Sequence, residues 1–89
     1  MEWEEVLKRF SMSDKMLIIN LMKDRTPRTS AEIVKELEWD YTASTVSMVT
    51  KYLNKQVTYP HAKWKFRVVA EIPRKRYSVP IKVYKYIGD

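Results

Sequence analysis

The chain contains no cysteine, which removes disulfide frameworks and thiolate metal sites. His61 is its only histidine, and no carboxylates gather around it in sequence, so an all-protein zinc site lacks ligands. Gly88 is the only glycine, and no glycine-rich phosphate loop is present. Gln56 is the sole glutamine, and Asn20 and Asn54 are the only asparagines. Few glycines and few thermolabile residues fit a thermophilic or archaeal source. The longest apolar block, MLIINLM at 16–22, is far short of the ~20 residues that span a bilayer, so no membrane partner is expected. The first residues carry Glu2, Glu4 and Glu5 instead of a basic, then apolar, leader, which leads us to expect an intracellular, cytoplasmic protein. No nucleophile–base pair or metal cluster is visible, so neither an enzyme nor a cofactor is expected.

What is present is a length of 89 residues, 45% hydrophobic and 31% charged, enough for one domain with one modest core. The net charge of +6 is unevenly spread. Residues 1–40 hold seven basic and nine acidic side chains, a net of −2, whereas residues 41–89 hold ten basic ones against only Glu71 and Asp89, a net of +8. A basic half joined to a slightly acidic one points to a polyanion bound by the C-terminal half.

Hydrophobic spacing divides the chain. Trp3, Val6, Leu7 and Phe10 recur at helical intervals in residues 2–10. Ser11 and Ser13 offer caps for a second helix over Asp14–Arg25, ended by Thr26-Pro27. Its apolar residues go almost all the way round, so both sides need cover, one of them from the N-terminal helix or a second subunit. TSAE at 29–32 is a capping box led by Thr29 and Glu32. It opens a helix with Ile33, Val34 and Leu37 buried and with Glu32, Glu36 and Asp40 on one exposed line. Thr42 then caps a helix over 43–55 that buries Val46, Val49 and Leu53. Beyond it the period changes to two: Trp64, Phe66, Val68, Ala70 and Ile72 share one face of a strand over 63–72, with Lys63, Lys65, Arg67 and Glu71 on the other. PRKRYS at 73–78 reads as a turn and 79–87 as the returning strand. The domain is thus expected to run as an N-terminal helical extension (1–12), a helical core (13–56) and a hairpin (57–89).

TSAEIVKEL, STVSMVTKYL and the hairpin at 63–87 together resemble the positioning helix, recognition helix and wing of the winged helix-turn-helix superfamily of small bacterial and archaeal transcriptional regulators. The likeness covers residues 13–87 and implies an α+β fold: a three-helix core with an added N-terminal helix and a C-terminal β-hairpin wing. Two glycines common in this class are absent; EWDY fills the turn between the helices, and Asn54-Lys55-Gln56 follows the recognition helix.

The resemblance implies a partner, double-stranded DNA, and gives meaning to TASTVSMVTKYL (42–53). Ser and Thr are mediocre helix formers, so their density on one side calls for a reason. Thr42, Ser44 and Thr45, at the helix N-terminus, suit phosphate contact. Ser47, Met48 and Lys51 would face the bases, with Lys55 also pointing outwards, and short hydroxyls let the backbone come close. Arg28 and the cations Arg74, Lys75 and Arg76 of the wing tip complete the expected DNA-binding set. A homodimer is expected through Trp3, Leu7, Phe10, Ile18 and Met22. Two other readings stay open: a protein–protein assembly module using the acidic line and Trp39, and a single-strand or RNA binder using KWKFR (63–67).

Overall fold

The computed structural model describes residues 11–76 and 79–88. Within them lie three helices and a small antiparallel sheet, an α+β architecture: α1 (Met12–Met22), β1 (Arg28–Thr29), α2 (Ser30–Glu36), α3 (Ala43–Thr58), β2 (Phe66–Ile72) and β3 (Ile81–Tyr86). The expected N-terminal helix, with Trp3, Leu7 and Phe10, lies outside the described residues.

Local chemistry starts each helix. The Ser11 hydroxyl accepts from the Asp14 backbone N–H while the Asp14 carboxylate accepts from that of Ser11, a reciprocal cap that sets the first turn of α1. The same device opens α2, where Thr29 N–H donates to Glu32 Oε1 at 2.7 Å and Glu32 N–H to Thr29 Oγ1 at 3.2 Å. α1 ends at Met22, earlier than Thr26-Pro27 requires, because Arg25 turns into the left-handed region at φ 65°. α3 runs through Val57 and Thr58, so the expected boundary between core and hairpin falls inside a continuous helix.

The turn without glycine has a specific solution. Glu38 takes the left-handed position (φ 59°) that glycine usually fills after a helix. Glu38 N–H donates to the Lys35 carbonyl and Trp39 N–H to that of Val34, so the last carbonyls of α2 are satisfied. Trp39 then lies partly buried against the core.

The sheet has the order β1-β3-β2. β1, which periodicity did not announce, pairs Arg28 with Tyr84 and Thr29 with Val83, tying the start of α2 to the hairpin. Ile18, Ile19 and Met22 of α1, Ile33 and Val34 of α2, Val49 and Leu53 of α3, and Phe66, Tyr84 and Tyr86 of the sheet form one buried cluster.

The expected single apolar face of β2 does not exist. Phe66 pairs with Tyr86 and Val68 with Tyr84, but the register shifts at Val69 and Ala70 then pairs with Val83 and Ile72 with Ile81. One extra residue inverts the alternation. Ala70 and Ile72 therefore share the face opposite Tyr84, and Val69, Ile72 and Ile81 are exposed.

Candidate nucleic-acid interface

α3 presents a buried side and an outward side. Thr45, Val49 and Leu53 are buried. Ser44, Ser47, Lys51, Lys55 and Thr58 are exposed, and their spacing of three or four residues aligns them along the outward side. At 1.5 Å per residue this ridge extends about 21 Å. α3 carries no acidic residue from Ala43 to Thr58. Ser44, Ser47, Lys51 and Lys55 thus stand where the sequence places them, with Met48 half-buried on the flank.

Several of the hydroxyls have internal duties instead. The Thr42 side chain caps the helix by accepting from Thr45 N–H at 3.2 Å, and its hydroxyl lies 3.0 Å from that of Thr45. Thr45 is buried, which corrects its expected place at a phosphate. Thr42 remains exposed beside the helix N-terminus. The Thr50 hydroxyl lies 2.7 Å from Ser30 Oγ and 2.9 Å from the Val46 carbonyl, joining α3 to the start of α2. Ser44 and Ser47 keep their hydroxyls on the outward ridge, with no hydrogen bond of this kind among the described residues.

Arg28 is also corrected. Its side chain is 8% exposed and forked between two carboxylates, Asp24 at 2.9 Å and Glu36 at 2.7 Å. The Arg28 hydrogen bond, helped by the Thr26 backbone N–H, holds the Asp24 carboxyl well below the usual carboxylate range. In return Asp24, and then Glu36, push the guanidinium above its ordinary value. Arg28 is a structural clamp joining the end of α1 to α2. The expected acidic line is altered by the same contacts: Glu36 serves Arg28 and Glu32 serves the α2 cap.

Ile18 and Met22, expected at a subunit interface, are 0% exposed within the chain itself. They belong to the same buried core cluster as Ile33, Val34 and Leu53, so neither is available to a partner.

The hairpin end places Arg74, Lys75 and Arg76 in solvent. Arg74 Nε donates to the Val79 carbonyl at 3.0 Å, fastening the two sides of the turn. At its root the hairpin is fixed to α3 by the Tyr84 hydroxyl, which donates to Asn54 Oδ1 at 2.5 Å. Burial pushes the Tyr84 phenol up, so the donor keeps its proton. Between Thr50 and Asn54 of α3 and Arg74, Pro80 and Lys82 of the hairpin lies a groove of about 340 Å³.

The aromatic residues of KWKFR do not form a stacking platform. Phe66 is buried. Trp64 is half-buried beneath the ammonium groups of Lys23 and Lys63, at 5.4 and 5.0 Å from its ring centroid. His61 is exposed and meets Tyr59 edge-on.

Among the described residues no group of acidic or histidine side chains could hold a metal ion, and no helix is long and apolar enough to cross a membrane. Compared with known protein families, curated proteins and solved structures, the chain matches none.

Proposed function

We propose that this chain is a double-stranded DNA-binding transcriptional regulator of winged helix-turn-helix type. α2 is the positioning helix, α3 the recognition helix in the major groove, and the β2–β3 hairpin the wing. The observation that carries the reading is the outward ridge of α3: small hydroxyls at Ser44 and Ser47, cations at Lys51 and Lys55, and no carboxylate along the helix. A helix of that character fits a groove bordered by phosphates on both sides. Arg74, Lys75 and Arg76 extend the same positive surface to the backbone or a minor groove. A homodimer joined through the N-terminal residues Trp3, Leu7 and Phe10 would present two such helices to half-sites about one helical turn apart.

The other two readings have less support. The assembly module would use the acidic line, two of whose carboxylates are engaged within the chain. The single-strand reading needs several open rings on one face, whereas Phe66 is buried and Trp64 is half-buried.

Electrophoretic mobility with duplex, single-stranded and RNA probes at two salt concentrations tests the proposal. Duplex should be retained best, and Lys51→Ala and Ser47→Glu should each weaken it with circular dichroism unchanged. A Lys51 phosphate contact contributes roughly 0.9 to the slope of log K against log salt. Equal duplex affinity in both folded variants would remove α3 as the reading element.

A further inference from the structure

On the side of α3 away from the hairpin, α1 and the connection to β2 close a second cleft, of about 290 Å³. Its lining includes Lys15, Tyr52, Lys55, Gln56, Lys63 and Trp64, and no carboxylate is found among its described lining residues. Lys15 Nζ stands 5.8 Å from the Tyr52 ring centroid and Lys63 Nζ 5.0 Å from that of Trp64. Ring faces hold ammonium groups in place without neutralising them.

A second observation is independent of charge. Gln56 Oε1 is buried and has no hydrogen-bond partner among the described residues, although buried polar atoms are almost always partnered. Gln56 is one of the residues that line the cleft. Aromatic walls, cations held on their ring faces and an unpaired acceptor are the parts of a small-molecule site, whose few polar groups fix a ligand's orientation.

We propose that this cleft binds a small planar anion: an aromatic ring bearing a carboxylate or a phosphate, with an N–H or O–H group donated to Gln56 Oε1. Lys15, Lys55 and Lys63 take the charge, and Tyr52 and Trp64 border the ring. Lys55 also stands on the outward ridge of α3, so the cleft and the ridge share a cation.

Isothermal titration calorimetry with the full chain, in the absence of DNA, separates this proposal from the DNA reading. The probes are adenosine monophosphate and indole-3-carboxylate, with adenosine and indole as uncharged controls. At least one charged probe should bind saturably at one per chain, and its uncharged control at least about tenfold more weakly. Binding by the nucleotide alone assigns a phosphate, and by the indole acid alone a carboxylate. Lys15→Ala and Lys63→Ala, checked for folding by circular dichroism, should each cost about tenfold in Kd. Gln56→Leu removes the unpaired acceptor, so it should weaken the ligand while raising the melting temperature of the free chain. Absence of saturable binding by both charged probes, equal binding of the uncharged controls, or unchanged Kd in both folded lysine variants would overturn the site.

Discussion

Replacing Arg28 by methionine separates a structural clamp from a DNA contact. Methionine keeps an unbranched stem for the channel between α1 and α2 and deletes only the planar head. That head donates from Nε and Nη2 to the two oxygens of Glu36 at 2.7 and 3.1 Å, and from Nη1 and Nη2 to those of Asp24 at 2.9 Å each. The Leu21 carbonyl lies 3.3 Å from Nη1. The Asp24 and Glu36 side chains are 51% and 45% exposed, so water can take up the carboxylates once the cation is gone. The loss is therefore far from that of a charge stranded in a core. Removing the buried guanidinium should cost about 2 kcal/mol, or a melting temperature lower by roughly 10 °C for a domain of this size.

Thermal melts followed by circular dichroism at neutral pH give the first reading. The second comes from pH. Because Arg28 holds the Asp24 carboxyl below its ordinary value of 3.8, the folded state binds its proton less readily than the unfolded chain does. That contribution is complete above the unfolded value and drains away as pH falls below it. The gap between parent and variant should therefore narrow from about pH 5 down towards pH 2. DNA affinity, measured well below both melting temperatures, should not change. A variant melting within ~2 °C of the parent would refute the clamp. A folded variant that loses DNA would return Arg28 to the interface.

Two further perturbations follow from single features. Glu38→Gly relieves a left-handed residue (φ 59°) and should stabilise the domain by about 1 kcal/mol; a urea midpoint that fails to rise would show that the Glu38 side chain compensates. Replacing Arg74, Lys75 and Arg76 together by alanine should flatten the salt dependence of duplex binding by about 2 to 3 units if all three touch phosphates; a parental slope would leave the hairpin end as a solvated turn.

Local chemistry was legible in the sequence, and long-range chemistry was not. The Thr29/Glu32 capping box and the Thr42 cap depend on residues three apart, and both form as read. The outward positions of Ser44, Ser47, Lys51 and Lys55 follow from the helical period alone. Arg28 lay beyond such reasoning. Its partners sit four residues back and eight ahead, and only β1, a strand two residues long, brings the guanidinium between them. Ile18 and Met22 belong to a helix whose apolar residues surround it, so spacing could not separate the side turned to the core from a side turned to a subunit. The cleft beside α3 was equally invisible, because Lys15 and Lys63, which both line it, stand 48 positions apart in the sequence.

The hairpin shows how one residue can defeat a correct period. RVVAEI carries neither glycine nor proline to mark an interruption, yet Val69 has no partner in the register between β2 and β3. Had alternation continued, Ala70 and Ile72 would extend the buried face of Phe66 and Val68. With the bulge, that face beyond Val68 receives Glu71 opposite Lys82, a pair that can remain in water. Burial of β2 accordingly falls from Phe66, at 5% exposure, to Ile72, at 47%. The far half of the hairpin is therefore held by its ladder and by the Arg74–Val79 bond, more than by the core. β2 is an edge strand, and an unpaired residue in an edge also discourages another strand from docking along it. An arm built in this way keeps Arg74, Lys75 and Arg76 in solvent without hydrophobic cover for them, as the proposed contact with a polyanion would require.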